Sequence, residues 1–380
     1  MHLTRIRLRD FRNYERVEVE LGPGLNVVAG ANGAGKTNLL EGIYFGLTAR
    51  SCRTSNEREM LRLGAEVARV ELEVAAEDGM HTLEVGLEPG QDKRIRVDGA
   101  LAARGVDPPR PLVSVFLPDR LDLVKGAPAG RRAHLDRLVA ALWPARGSTR
   151  AAYARALSQR NALIGRVRGG LAGEGLLDQW DTELARHGAE LMADRAAAVE
   201  LISPAFTARA GGLGLPEPGE LRYAPRCKAD DAEGIRDELA ARRSGDIERG
   251  FTTHGPHRDD VALLHGGRLL RTLGSQGQQR VALLALLFAE RDVLAARGTP
   301  PLMLLDDVMS ELDSARRERL AALVGSEGQS VVTTTDTSHV PGADSADAAV
   351  IVVAAGTTVQ HPPPADRKAP RRAAQSEARA

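Results

Sequence analysis

Four segments of the chain carry residue types whose spacing could do phosphate chemistry. Gly30-Ala31-Asn32-Gly33-Ala34-Gly35-Lys36-Thr37 fits the phosphate-binding loop pattern at every fixed position. Glycines let backbone N–H groups face an anion without side-chain clash. Gly30 to Asn38 is thus the expected nucleotide-binding segment, with Lys36 on the β and γ phosphates and Thr37 on magnesium. Leu304-Leu305-Asp306-Asp307 is an apolar strand ending in carboxylates and runs into Ser310-Glu311-Leu312-Asp313. Asp306 is the expected second magnesium contact. Asp307 alternates to the other side, where a carboxylate orients or deprotonates an attacking water. The competing reading is a pair of aspartates capping the next helix. Ser275-Gln276-Gly277-Gln278-Gln279-Arg280 opens an apolar helix over Val281 to Leu294, so its donors stand at a helix N-terminus, an anion site. Ser275 and Gly277 are expected at the nucleotide, and Gln278 joins Lys36 and Asp307 as catalytic. Alone, this segment reads equally as a capped core helix. Its weight comes from standing between a phosphate loop and Asp306. The fourth segment is Gly255-Pro256-His257-Arg258-Asp259-Asp260. There the aspartates suit a strand start, and His257 and Arg258 suit DNA or nucleotide; both readings stand against bland ones. Arg12 and Asn13 fall near the expected adenine end, and a surface turn explains them as well. In this order the four segments imply ATP and Mg2+ held between two copies of the chain.

These residues need elements to position them. Alternating runs at Leu3/Ile6/Leu8 and Val17/Val19/Leu21 flank a turn at 10–14. Leu25 to Ala29 is a buried strand feeding the glycine loop, and a helix follows from Lys36 to about Leu47. Further alternation at Val70/Leu72/Val74, Leu83/Val85/Leu87 and Ile95/Val97 ends on the hairpin turn Asp98-Gly99, with one more strand at Leu112–Leu117. From Asp119 to Gly250 the texture is helical. Ser148 is placed to cap a helix reaching Arg168, glycines interrupt it, and a second helix runs from Leu176 to Ala210. No sustained heptads make a long coiled coil. Strands return at Leu302–Leu305, Val331–Thr335 and Ala349–Val353. Most of the chain separates Lys36 from Asp306, yet both are assigned to one magnesium ion. The expected fold is therefore α/β, a P-loop ATPase head split in sequence. Residues 1–118 and 251–360 are its halves, 119–250 an inserted helical lid, and 361–380 a disordered, dispensable tail.

Composition narrows the class. In 380 residues, 51 basic and 51 acidic side chains give a formal net charge of +0, so bulk charge names no partner. Lysine occurs only at positions 36, 93, 125, 228 and 368, and arginine supplies the rest. Cys52 and Cys227 form no disulfide framework and no metal spacing, which suits a reducing cytosol. The histidines at 134, 187, 254, 265 and 339 show no metal-like grouping. The longest apolar run, Val281 to Ala289, falls short of the roughly 20 residues of a spanning helix.

The chain also resembles the RecF family of bacterial recombination mediators, SMC-like ABC ATPases. The resemblance rests on Phe11-Arg12-Asn13-Tyr14, Gly30 to Asn38, Ala49-Arg50-Ser51-Cys52-Arg53-Thr54, Phe116-Leu117-Pro118-Asp119, and Asp122 to Pro128 with Arg131-Arg132. It continues through Gln159-Arg160-Asn161, Gly255 to Asp260, Ser275 to Arg280 and Leu305 to Asp313. His134 stands where the family usually has an aromatic residue. The resemblance implies a cytoplasmic protein that dimerises on ATP and binds DNA at the edges of single-stranded gaps. It implies action with RecR and RecO to help RecA displace single-strand binding protein, and release on hydrolysis. A transporter ATPase subunit is the alternative, but it leaves the split and the helical insert unexplained. Another SMC-like DNA-maintenance ATPase is the second, and long coiled arms are missing. For the DNA surface the candidates are Arg150, Arg155, Arg160, Arg166 and Arg168 on one helix, Lys93, Arg94 and Arg96 on a hairpin, and Arg131 and Arg132 at a turn.

Overall fold

The computed structural model of the chain describes residues 1–102, 110–118, 121–298, 300–310, 312–326, 328–354 and 356–361. Asp119, Glu311 and the tail beyond His361 lie outside the described residues. The chain divides into two compact units, Met1–Pro109 with Gln329–Ala380, and Arg110–Gly328.

The first unit opens with β1 (His2–Phe11), β2 (Tyr14–Glu20), β3 (Leu25–Ala29), α1 (Lys36–Thr48), β4 (Ala68–Ala76), β5 (Gly79–Leu87), β6 (Arg94–Val97) and β7 (Ala100–Leu101). The second holds β8 (Val113–Phe116), α2 (Asp122–Lys125), α3 (Pro128–Leu142), α4 (Gly147–Arg168), α5 (Leu177–Gly212), β9 (Gly219–Ala224), α6 (Ala232–Ala241) and α7 (Arg243–Arg249). It continues with β10 (Asp260–His265), β11 (Arg268–Leu269), α8 (Leu270–Leu273), α9 (Gln276–Ala295), β12 (Leu302–Leu305) and α10 (Ser314–Ser326). The chain then returns to the first unit as β13 (Ser330–Thr334), β14 (Ala349–Ala354) and β15 (Thr357–His361).

In the first unit, β2-β1-β4-β5-β6-β7 form an antiparallel sheet. Its period-two pattern puts one face in the core, where Ile6 sits opposite Val19 and Leu72, and Leu8 opposite Val17 and Val70. The other face is charged. Arg5 meets Glu20 at 3.1 Å and Glu73 at 3.3 Å, and Arg7 meets Glu18 at 3.2 Å. Such exposed pairs add little stability, and the same register also sets Arg9 opposite Arg16 and Arg69, so the buried apolar face rather than charge fixes it. The expected Asp98-Gly99 turn is present, with φ of 50° and 80°, and joins β6 to β7. β3 pairs in parallel with both β13 and β14. A parallel strand flanked on both sides is covered on both faces, which is why Asn26 to Ala29 are all buried. α1 packs on β1 and β4. A Cβ added at Gly42 would stand 2.7 Å from Leu8, and one at Gly46 2.7 Å from Leu72, so these glycines let the helix lie close to the sheet.

In the second unit β8 and β12 pair in parallel, and β11-β10-β9 form a small antiparallel sheet. The 36-residue α5 is the spine. α4 and α6 pack on it through a core that includes Tyr153, Leu184, Leu191, Ile235 and Leu239. Its far end meets β9 and α9, where Arg209 pairs with Asp292 at 2.5 Å.

Three details differ from the sequence reading. The stretch 119–250 is not helical throughout, because Gly219–Ala224 is a strand. Its alternation is weak, and its partner β10 begins only at Asp260, so the pairing is non-local. Ser148 lies inside α4, and no side chain caps that helix. β15 is an additional strand, antiparallel to β14. Among the described residues no helix is long and apolar enough to cross a membrane.

Candidate nucleotide-binding site

The phosphate-loop segment leaves the buried strand β3 and enters α1. Its tip, Ala31 to Gly33, is exposed, while Ala34, Gly35 and Lys36 are buried and Thr37 and Asn38 half-buried. Gly35 is the N-cap of α1 with φ of 120°, a region closed to L side chains. A Cβ there would also stand 2.6 Å from Asn13 Nδ2. Lys36 Nζ donates to the carbonyls of Gly30 at 2.7 Å and Ala31 at 3.0 Å, so the ammonium is folded into its own loop.

The β1–β2 turn braces this loop. Asn13 Nδ2 donates to Ala34 O at 3.0 Å, and Tyr14 Oη to Gly35 O at 3.0 Å. Burial pushes the Tyr14 phenol up, which keeps it a proton donor. Asn38 Nδ2 donates in turn to Asn13 Oδ1 at 2.8 Å. Arg12, at φ 54°, forks onto Glu41, with Nε to Oε2 and Nη2 to Oε1 each at 2.8 Å. Glu41 is fully buried on α1 and also accepts from Ser51 Oγ at 2.5 Å and Arg53 at 3.2 Å. Arg53 reaches Asn38 Oδ1 at 2.8 Å. Sequence reasoning missed Glu41. The available signal was a carboxylate inside the apolar helix Leu39-Leu40-Glu41-Gly42-Ile43, which requires cationic partners.

In the second unit Asp306 follows β12, 7% exposed, its N–H bonded to Phe116 O at 3.0 Å. Asp307 does not continue the pleat as expected from strand alternation. β12 ends at Leu305, and Asp307 adopts φ 43°, so a left-handed turn sets its direction. Aspartate tolerates this region better than most residues, at a cost of about 1 kcal/mol. α10 is capped by Asp313, whose Oδ1 accepts from Arg316 N at 2.8 Å.

Ser275 is the N-cap of α9. Its Oγ accepts from Gln278 N at 3.2 Å while Gln278 Oε1 accepts from Ser275 N at 2.8 Å, a reciprocal capping box. The cap uses only acceptor atoms. The Ser275 hydroxyl proton and the Gln278 carboxamide N–H groups take no part in it. Ser275, Gln276 and Gly277 are exposed, and Gln279 is buried, donating to Leu270 O at 2.8 Å.

The Gly255–Asp260 segment is the hub of an internal ion-pair network. His257 Nδ1 accepts from Tyr153 Oη at 2.8 Å and Nε2 faces Thr252 O at 3.1 Å. Burial lowers its pKa to about 4. The expectation that His257 faces DNA or nucleotide is therefore corrected: both ring nitrogens are engaged inside the unit. Asp259, fully buried, accepts from Tyr223 Oη at 2.5 Å, Arg226 N at 2.7 Å and Arg195 at 3.2 Å. Arg131 forks onto Asp260 at 2.6 and 2.9 Å. Arg160, with no exposed surface, pairs with Asp181 at 2.6 Å and Asp246 at 2.7 Å. Arg131 and Arg160 are thus removed from the DNA candidates, whereas Arg150, Arg155, Arg166 and Arg168 remain exposed. Desolvating a guanidinium demands paired carboxylates, and two arginines in the row satisfy that demand.

The phosphate loop fits a nucleotide. The loop supplies a strand-to-helix cradle whose glycine conformation admits no side chain, with an ammonium folded into it. In the first unit Thr37 offers a hydroxyl and in the second Asp306 offers a carboxylate, each an oxygen donor of the kind magnesium takes.

Comparison with known proteins shows the family and the fold. Residues 2–358 match the RecF/RecN/SMC N terminal domain family. A relative from Streptomyces avermitilis, "DNA replication and repair protein RecF", is 38% identical over 363 residues, covering 90% of this chain and 95% of the relative. One of the same description from Frankia alni is 39% identical over 360 residues, with 90% and 95% covered. Among solved structures, the recombination mediator protein RecF-ATP in the RecFOR pathway superposes with a TM-score of 0.83 at 28% identity, covering 95% of this chain and 98% of that one. An SMC head bound to the C-winged helix domain of ScpA gives 0.58 at 18% identity over 95% and 97%, a likeness of fold. The split α/β lobe with its phosphate loop is an ABC-type P-loop ATPase fold, and the chain belongs to the RecF family.

Proposed function

We propose that the chain is an ATP-dependent DNA-binding protein of recombinational repair. It dimerises on ATP at gapped DNA or at junctions of single strand and duplex. With RecR and RecO it promotes RecA loading, and slow, DNA-stimulated ATP hydrolysis releases it. The observation that carries this reading is the braced loop: β3 delivers Gly30–Thr37 to α1 with Gly35 left-handed and Lys36 folded onto the loop carbonyls. Membership of a family whose relatives are described as DNA replication and repair proteins supports the biological setting.

Within this function each residue has a physical task. Backbone N–H groups from Gly30 to Asn38 and the N-terminal dipole of α1 bind the phosphates. Lys36 leaves the carbonyls of Gly30 and Ala31 and places its charge on the β and γ phosphates. Arg12 lines the adenine side while Glu41 holds its guanidinium in place. Thr37 and Asp306 hold Mg2+, which neutralises charge on the phosphates when bound. Asp307 orients the attacking water and takes its proton. The Ser275 hydroxyl, the Gly277 N–H and the Gln278 carboxamide donors meet the γ-phosphate held by a second copy. A donor set in trans makes ATP a requirement for dimerisation and makes hydrolysis the release signal.

The test is binding to duplex, single-stranded and gapped DNA, with and without ATP, at two salt concentrations. Tighter, ATP-dependent binding to gapped DNA is expected, falling as salt rises. Binding that ignores ATP, or no binding to any of the three, would overturn the proposal.

A further inference from the structure

Cys227, Glu238 and His254 stand on three different segments between β9 and β10, and their spacing follows no metal motif. The fold brings them together: one ligand atom from each lies within 4.8 Å of the others. Cys227 stands in the turn after β9, Glu238 on α6, and His254 after α7, next to Gly255. Cys227 is 3% exposed and His254 4%. All three belong to the second unit, outside every segment assigned to nucleotide.

From this cluster we infer a transition-metal site of the zinc class, built from Cys227 Sγ, His254 Nε2 and Glu238 Oε2, with the fourth position open to water. Thiolate and imidazole are ligands for zinc rather than magnesium. A tetrahedral zinc with bonds of about 2.3 Å to sulfur and about 2.0 Å to nitrogen or oxygen spaces its ligand atoms by roughly 3.3–3.8 Å. The present spacing, within 4.8 Å, is of that order.

The carboxylate is already oriented for this task. Glu238 Oε1 accepts from Lys228 N at 2.9 Å and Ala229 N at 2.8 Å. Oε2 is thereby turned to His254 Nε2, with which it shares a short hydrogen bond. Outer partners of this kind fix a ligand before the metal arrives. A divalent cation would compensate the charge of the thiolate that binds it. Arg242 Nη1, 3.9 Å from Glu238 Oε2, opposes the cation, but its side chain is 42% exposed and water screens it.

On binding, Zn–S, Zn–N and Zn–O bonds form. The thiol proton leaves to solvent, the hydrogen bond between His254 Nε2 and Glu238 Oε2 breaks, and the proton it held passes to Nδ1, so the imidazole stays neutral. Nothing is oxidised or reduced. The ion would tie the end of β9 and α6 to the start of the Gly255–Asp260 hub.

The experiment is titration of chelator-treated full-length protein with Co2+, read in the visible and near ultraviolet. A single equivalent is expected to give tetrahedral ligand-field bands and a thiolate-to-cobalt charge-transfer band, both bleached by Zn2+. Cys227→Ser should lose the charge-transfer band, and Cys52→Ser should keep it. His254→Ala should weaken cobalt binding by at least roughly 100-fold, beyond the loss typical of an outer partner. Zn2+ should raise the thermal unfolding midpoint of the parent and not of Cys227→Ser, with circular dichroism reporting that the variant is folded. Absence of the charge-transfer band in the parent, or its persistence in Cys227→Ser, would overturn the site.

Discussion

Lys36 and Asp307 are the residues on which the proposed ATPase turns. Lys36 is 8% exposed and held by two carbonyls, so the loop is shaped around an ammonium. Lys36→Met keeps the length and removes the charge. Losing a charge-assisted contact of about 1.5–3 kcal/mol should weaken nucleotide affinity by roughly 10- to 100-fold. Fluorescent-nucleotide titration and gel filtration with ATP check this. A near-normal ATP dimer would defeat the assignment. Asp307 is held at φ 43°. Asn tolerates that conformation, so Asp307→Asn keeps the turn and loses only the base. ATP binding should persist while hydrolysis slows by about 10²–10⁴-fold. A parental hydrolysis rate would move the catalytic role elsewhere.

At the scale of elements, the phosphate loop depends on a hairpin turn and on the buried face of α1. Glu41 joins them, being fully buried and bonded to Arg12, Ser51 and Arg53. Glu41→Ala would leave the Arg12 guanidinium, 16% exposed, with its main partner gone. A loss of about 3 kcal/mol in unfolding free energy is expected, with weakened nucleotide binding. A change under about 0.5 kcal/mol in urea denaturation would show that the clamp carries no stability. α9 is the second test. Ser275→Arg removes a cap worth about 1 kcal/mol and puts a bulky side chain at an exposed helix start. The variant monomer should still bind ATP but form no ATP dimer, whereas Ser275→Ala should lose only the cap's stability. Mixing Ser275→Arg with Lys36→Met should restore some activity, because one site of the mixed dimer pairs an intact loop with an intact Ser275. Loss of ATP binding by the Ser275→Arg monomer would place Ser275 in its own subunit's pocket.

At the scale of the whole molecule, stability should depend on pH through His257. Its folded pKa is lowered to about 4 by burial, against about 6.5 when unfolded. The unfolded chain therefore binds the extra proton between these values. His257 makes its full contribution above pH 6.5, and that contribution is lost progressively as pH falls towards 4. The span corresponds to roughly 3 kcal/mol, of the order of a third of a typical domain's stability. Urea denaturation at pH 7.5 and pH 5 should show the loss, and His257→Gln should flatten it. An unchanged slope in His257→Gln would assign the acid sensitivity to other groups. Net charge is +0, so the proposed DNA binding would have to come from a local surface, for which Arg150, Arg155, Arg166 and Arg168 are the exposed candidates on α4.

Much of the architecture around the nucleotide was readable from the chain alone. β3, the phosphate loop and α1 are contiguous, and their signals are local: an apolar run, glycine conformations and a helix start. The Asp98-Gly99 turn and the helix opening at Ser275 are local in the same way. Tertiary structure decided which charged groups meet once water is removed. No period or spacing pairs Arg160 with Asp181 and Asp246, or Arg12 and Arg53 with Glu41, because a desolvated charge is satisfied by whichever partner the fold brings near. β9 was hidden for a related reason, since its ladder partner lies well downstream. Asp307 shows the boundary between the two: its carboxylate was legible in the sequence, but its direction was set by a left-handed turn that strand alternation does not foretell. Cys227, Glu238 and His254 converge only because α6 and the segment after α7 fold back on the end of β9.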